Sequence, residues 1–473
     1  MIGMRWAIRG IGLISTVVLA RLLTPDDFGV VAMAMVSVAL LEVFTQSGVD
    51  LALLRTTEPT RDHYNAAWSL EIIQGLILAI VLFVTAPFVG GHFEDVRVTE
   101  VVRILSIRAV IGGFQNIGVV NFRRDLAFGR EFQFGVLKKL ATFSVTLVAA
   151  LALRSYWALV IGQVVGRILE VGISYLMSAY RPRFSLSRVG EIWGFSRWLI
   201  LSRFARLLNK QFDRWVVGSV GGAAAMGNYY IATDMASSPS DEIVVPMSRA
   251  AFPVYSRLQD DPEQLGETFT RALSSMTAIT LVMGLGIAVV ADNFVRVVLG
   301  ERWLSAIPLI PWLGIFGALY GIVHTIDIFL LATGRERLAA LLTVGNAAML
   351  VPVLLMVGSL KDIEMIAAAK AVTALLFVLS LMWAATRRPP LTFGRLWGAI
   401  WPPLTAASIM ALSVKGLQSA FDALQPFFGL CRDVAFGAIV YSLATLGIWM
   451  LRGRPDGVER DTLQRVAALV RRR

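Results

Sequence analysis

About fourteen apolar segments of roughly twenty residues follow one another through this chain, with little between them. Twenty residues of α-helix rise about 30 Å, the hydrocarbon thickness of a bilayer. The pattern predicts an all-α integral membrane protein whose function is carried inside the bilayer. Of the 473 residues 56% are hydrophobic and only 16% charged, whereas an ordinary soluble domain carries about a quarter charged residues. A single cysteine, Cys431, rules out an intramolecular disulfide framework and a cysteine-based zinc site. His63, His92 and His324 show no metal-ligand spacing. The net charge of +11 would suggest nucleic acid in a soluble protein, but here Lys and Arg gather in loops and at the C-terminus. There they orient helices and meet anionic lipid, so no nucleic-acid partner is expected.

Helices are expected near 4–20, 28–48, 66–90, 101–121, 131–153, 155–180, 195–220, 224–248, 268–291, 303–333, 336–358, 363–386, 393–415 and 427–451. Arg5 and the apolar run to Ala20 resemble a signal peptide, yet the run leads straight into the next segment through LARLLTPDDFG, so 4–20 is read as a retained first helix. Breaks coincide with turn chemistry at Thr24-Pro25-Asp26-Asp27, Gly90-Gly91, Arg181-Pro182, Gly221-Gly222 and Pro389-Pro390. Segments 7 and 8 are the least apolar. Connections after even-numbered segments are the richer in arginine, for example Arg123, Arg124 and Arg130, or Arg181, Arg183 and Arg188. The positive-inside rule then puts both termini in the cytoplasm.

A faint internal repeat pairs Phe28-Gly29 with Met226-Gly227, Arg9 with Arg206, and Glu42 with Asp241. It implies two six-helix lobes, 1–190 and 191–388, around a central cavity. Two extra helices (389–451) and a basic cytoplasmic tail (452–473) complete the chain. Paired bundles about a central site are a transporter architecture.

Ionisable residues at membrane depth are the candidates for function, because a charge at mid-bilayer costs on the order of 3 kcal/mol or more. Arg203, Arg206, Lys210 and then Asp213 or Arg214 recur at helical spacing along segment 7, and Arg5 and Arg9 do so in segment 1. Arg9, Arg203, Arg206 and Lys210 are therefore the candidate substrate-binding residues of a cationic cavity. Such a cavity would take an anionic substrate, with Arg gripping phosphate oxygens in bidentate fashion. The competing explanation is that Arg203 and Arg206 snorkel to the interface. Among the acids, Glu42, Asp234, Asp241 and Asp327 are the candidates for ion coupling, since a carboxyl in a low-dielectric cavity has a raised pKa and can exchange a proton. Asp327 follows His324 by three residues, in the pattern of a proton relay or of a plain buried hydrogen bond. Glu170 is expected to pair with Arg167. No P-loop, metal site or nucleophile elbow is present, and the longest polar connection, around 249–267, is too short for a catalytic domain. The protein is therefore expected not to be an enzyme and to need no cofactor beyond a proton or sodium gradient. Trp193, Trp198, Trp303 and Trp401 are read as interfacial aromatics.

The ordered motifs LARLLTPDDFGVVAMAMV (19–36), FRRDLAF (122–128), YWALVIGQVVG (156–166), RPRFSL (181–186), FSRWL (195–199), MGNYYIA (226–232), FPVYSRLQDD (252–261), LGERW (299–303) and ATGRER (332–337) resemble the Wzx-type polysaccharide and O-antigen flippases. That family belongs to the multidrug/oligosaccharidyl-lipid/polysaccharide exporter superfamily. The resemblance covers about residues 5–340. It implies a bacterial inner-membrane protein that carries an undecaprenyl-pyrophosphate-linked oligosaccharide from the cytoplasmic to the periplasmic leaflet, for exopolysaccharide, O-antigen or capsule synthesis. Membrane lipids, a polysaccharide polymerase and its co-polymerase are the implied partners. The rival readings are an ion-coupled drug antiporter of the same superfamily and a membrane enzyme of polysaccharide assembly.

Overall fold

The computed structural model describes residues 2–45, 58–189, 197–387, 391–421 and 425–453, with isolated positions between 46 and 57. Among the described residues no strand occurs. The long helices are α1 (Ile2–Leu22), α2 (Pro25–Thr45), α3 (Arg61–His92), α4 (Val96–Gly113), α5 (Phe128–Leu153), α6 (Trp157–Met177) and α7 (Arg197–Arg257). They continue as α8 (Pro262–Val289), α9 (Leu309–Ala332), α10 (Glu336–Gly358), α11 (Ile363–Thr386), α12 (Phe393–Ala420) and α13 (Pro426–Leu451). Among the described residues nine of these are long and apolar enough to cross a membrane, or ten if α4 and its continuation count as one bent span. The charged α7 is not among the nine, in keeping with the weak hydropathy of segments 7 and 8. This is a multi-pass helical membrane protein.

Local chemistry sets the boundaries. Thr24 and Asp27 cap α2 reciprocally: the Thr24 hydroxyl donates to Asp27 (2.6 Å), and the Asp27 N–H donates back to Thr24 Oγ1 (3.3 Å). Asp261 caps α8 by accepting from Gln264 N, with Pro262 in the first turn. This capping corrects one expectation. The polar stretch 249–267 is not an open connection; α7 runs to Arg257, α8 begins at Pro262, and only Leu258–Asp261 joins them.

Segment 4 is not the single helix expected over 101–121. It breaks after Gly113 and resumes as a 3₁₀ turn (Ile117–Val120) and one helical turn (Asn121–Arg124), bent by 71°. Asn116 causes the break. Its side chain accepts from Gly118 N (2.9 Å) and donates to the Tyr180 carbonyl (2.8 Å), while its N–H donates to Ser174 Oγ (3.0 Å). Segment 10 likewise opens as a separate 3₁₀ turn, Glu301–Ala306, before α9. Trp303 in that turn is fully buried, not interfacial. The 61-residue α7 breaks its ladder at Gly222, whose φ of 69° suits glycine. The side chains of Arg5, Trp193, Trp198, Arg203 and Asp241, the Pro389-Pro390 turn and the tail from 454 onward lie outside the described residues.

The chain forms two compact units. The first comprises the residues through Tyr230 together with Gly358–Lys361; the second comprises Ile231–Val357 and the residues from Asp362 onward. Within the first unit, α3 packs along α4, burying Leu70, Leu78 and Leu82 on one helix and Val98, Val101 and Leu105 on the other. Gly29 of α2 and Gly227 of α7, the glycines of the faint repeat, meet each other in this unit. A Cβ on Gly227 would strike the Pro25 carbonyl and lie 3.1 Å from Gly29 N. The second unit is centred on Phe269 stacked on Phe329 (4.0 Å between centroids), with Tyr255 set edge-on to both. Helices α12 and α13 are integral to it. Tyr441 Oη donates to the Ala278 carbonyl of α8 (2.9 Å), and the buried Asp433 of α13 accepts from Gln418 of α12 (2.7 Å).

Candidate functional site: a charged cluster in the first unit

At one end of the first unit, short loops are locked together. Arg97 bridges Asp26 (2.5 Å) and Asp95 (2.7 Å), and Asp27 accepts from Tyr156 N (2.7 Å). The Arg97 guanidinium holds the Asp95 carboxyl below the usual aspartate range, which outweighs the opposing effect of burial. These contacts join the ends of α2, α4 and α6.

Deeper in the same helices lies a cluster of charge. Glu170 on α6 accepts from Arg167 of its own helix (2.8 Å) and from Lys138 on α5 (2.9 Å). Arg108 on α4 interacts electrostatically with Glu42, Arg167 and Glu170. A helical rise of 1.5 Å per residue puts all five groups about 15 to 24 Å from the locked end. Counted along their helices, they form a layer about 9 Å deep. Lys139 adds a further cation, because a Cβ on Gly12 of α1 would lie 3.5 Å from its Cε. Arg9 stands one turn from Gly12, on the same face of α1. The layer thus holds more cations than carboxylates, and its arginines can offer paired N–H donors to phosphate oxygens.

Several anticipated residues are found here. The Arg167–Glu170 pair is present. Glu42, which has no opposite charge within a turn of its own helix, interacts electrostatically with Arg108 of α4. Arg9 is half-buried on α1. Arg206 and Lys210 lie four residues apart on α7, both exposed and both in the first unit. The stripe changes character at Asp213, which is fully buried and accepts from Tyr229 Oη at 2.6 Å. Arg214 lies over the Tyr230 ring (5.2 Å). Asp234 and Asp327, both half-buried, belong to the second unit, so the proposed coupling acids are divided between units. Sequence reasoning missed Arg108, Lys138 and Lys139. The two lysines in mid-segment 131–153 were a usable signal, since a cation at that depth needs a partner or a wet cavity.

The motifs quoted above serve the scaffold. Arg183 N donates to Asn65 Oδ1 and Ser185 N to Ser69 Oγ, both at 2.8 Å, which lays RPRFSL along α3. Arg335 of ATGRER donates to the carbonyls of Ala384 (3.0 Å) and Arg387 (2.9 Å), and Gln259 of FPVYSRLQDD donates to the Ala332 carbonyl. A family described as Polysaccharide biosynthesis protein matches residues 18–308 of this scaffold. The chain belongs to that family. Among its relatives are the lipopolysaccharide biosynthesis protein WzxC of Escherichia coli K12, 25% identical over 76% of this chain and 75% of the relative. The succinoglycan biosynthesis transport protein ExoT of Rhizobium meliloti 1021 is 24% identical over 92% and 89%. The teichuronic acid biosynthesis protein TuaB of Bacillus subtilis 168 is 23% identical over 85% and 84%. The fold is similar to that of the lipid II flippase MurJ in an inward closed conformation (TM-score 0.75, 14% identity, covering 94% of this chain and 98% of that one). A multidrug resistance MATE transporter in its inward-facing conformation shares it less closely (TM-score 0.60, 16% identity, 82% and 98%).

Proposed function

We propose that this protein is a flippase for polysaccharide assembly. It carries a lipid-linked oligosaccharide, with an undecaprenyl-pyrophosphate anchor, across a bacterial inner membrane by alternating access. The observation that carries this reading is the family match together with relatives named for lipopolysaccharide, succinoglycan and teichuronic acid synthesis. The cation-rich layer fits it chemically, because a diphosphate head group needs compensating charge at membrane depth and Arg supplies it with directed hydrogen bonds. Arg9, Arg203, Arg206 and Lys210 bind the diphosphate in this scheme. Glu42, Asp234, Asp241 and Asp327 couple the cycle to a proton or sodium gradient. Both termini face the cytoplasm, and a polymerase with its co-polymerase takes over the product. The drug-antiporter reading is weaker, because a layer dominated by arginine and lysine repels cationic drugs.

The test is translocation of a fluorescent undecaprenyl-pyrophosphate oligosaccharide in proteoliposomes, with and without an imposed gradient. The wild-type protein is expected to move the substrate faster with the gradient, and Arg206→Ala with Lys210→Ala to lower transport at least tenfold. Unchanged transport by the well-folded double variant would remove these two residues from the site.

A further inference from the structure

Arg108 has hydrogen-bond donors to spare. It is half-buried on α4 and interacts electrostatically with Glu42, Arg167 and Glu170, yet it donates no hydrogen bond to any described residue. Gly112 lies one turn along the same face of α4 and makes room for the Arg167 guanidinium, since a Cβ there would lie 2.7 Å from Nη2. Arg167 is thereby held on the side of α4 that carries Arg108. On its other flank, Gly166 of α6 lets α5 come close, because a Cβ there would lie 2.6 Å from Thr142 Oγ1. One turn from that contact, on α6 and α5 respectively, stand Glu170 and Lys138. Glu170 accepts through Oε1 from Lys138 (2.9 Å) and through Oε2 from Arg167 (2.8 Å). One carboxylate therefore occupies donors from two helices, while the third cation beside it has none of its own engaged. The cluster is open to its surroundings, with 45% of the Lys138 side chain and 25% of that of Arg167 exposed.

We infer that Arg108, Arg167 and Lys138 form an oxyanion site for the diphosphate of the transported lipid, and that Glu170 is an internal anion that fills this site until the substrate displaces it. A carboxylate has two oxygens and one charge, enough for Lys138 and Arg167. A diphosphate carries more of both and can engage Arg108 as well, with the paired N–H donors of each guanidinium on its oxygens. A carboxylate parted from its cations in a low-dielectric setting favours its neutral form. The displaced Glu170 therefore takes up one proton from solvent for each diphosphate bound. The charged groups that govern this exchange are Arg167 on its own helix, Lys138 on α5, Arg108 on α4 and Glu42 on α2. The 3₁₀ turn Ile117–Val120, which also packs on α6, brings no titratable side chain. The assignment rests on the proposed diphosphate substrate.

The experiment is equilibrium binding of radiolabelled inorganic pyrophosphate to the full-length protein in detergent, at fixed ionic strength. Wild type, Glu170→Gln, Arg108→Gln and the exposed control Arg302→Gln are compared as ratios to wild type at each pH, so that titration of the probe itself cancels. At neutral pH Glu170→Gln is expected to bind about tenfold tighter than wild type, Arg108→Gln about tenfold weaker, and the control equally well. As the pH falls from about 7.5 to about 5.5, wild type should approach Glu170→Gln, because protonation removes the competing carboxylate. Thermal unfolding separates loss of binding from loss of fold. Arg108→Gln, which breaks no hydrogen bond to a described residue, keeps the test open should Glu170→Gln fail to fold. Binding by Glu170→Gln no tighter than wild type would make the carboxylate a structural partner only and overturn the inference. So would undiminished binding by Arg108→Gln. Either result beside wild-type transport of the lipid-linked oligosaccharide would leave the flippase reading standing. The expected pattern in a protein that moves no such lipid would uphold the anion site and remove the flippase reading.

Discussion

Glu170 is the residue on which the charged layer of the first unit turns. It accepts from Lys138 and Arg167 while only 13% of its side chain is exposed, so its removal leaves two cations facing each other in a medium that screens them poorly. Glu170→Gln is expected to destabilise the protein by about 2 kcal/mol, read as a lower melting temperature in detergent. Adding Lys138→Met should return part of that loss, and a second loss on top of the first would show that the two charges do not interact. Residues of this kind were half legible. Arg167 and Glu170 stand three apart on one helix, so their pairing follows from helical spacing alone. The electrostatic interaction of Glu42 with Arg108 runs from α2 to α4, and nothing local in the sequence aligns those two helices. Trp303 shows the same gap from the other side. A tryptophan near a segment end suits the interface, but a 3₁₀ turn carried it inward.

Among helices, close approach governs what substitutions the scaffold tolerates. At Gly29 and Gly227 backbone meets backbone with no room for a methyl group. Gly227→Ala should therefore cost about 1–3 kcal/mol or more by overpacking, measured as a fall in melting temperature. Gly91→Ala, where an added Cβ meets nothing within 4 Å, should leave it nearly unchanged. Equal effects at the two positions would show that the α2–α7 contact gives way cheaply. The pairing of these glycines in the faint repeat was visible in the sequence, but their mutual contact was not, because a repeat reports similarity and says nothing of proximity. Helix existence read well for a simple reason. An apolar run of about twenty residues has one stable form in lipid. Breaks read well where Gly or Pro marks them, as at Gly222, and poorly where a side chain makes them. Asn116 interrupts α4 only because Ser174 and Tyr180, far along the chain, stand ready to bond it.

For the whole molecule, the arginine bias of the loops predicts an orientation that cysteine labelling can check. In a Cys431→Ser background, Glu94→Cys should react with a membrane-impermeant maleimide added to intact spheroplasts. Arg183→Cys should react only after permeabilisation, and the reverse pattern would invert the proposed topology. The two units have a further consequence, for how such a gene can be divided. The passage from the first unit to the second falls between Tyr230 and Ile231, inside α7 and not in a loop. A polypeptide that stops before Arg197 lacks residues that pack in the first unit. One that stops in the Leu258–Asp261 turn carries 231–257, which pack in the second. Neither of the connections that flank α7 offers a clean seam, so recombination between relatives that exchanges either half there must also exchange part of the other half's packing. The halves of this protein are bound to diverge together.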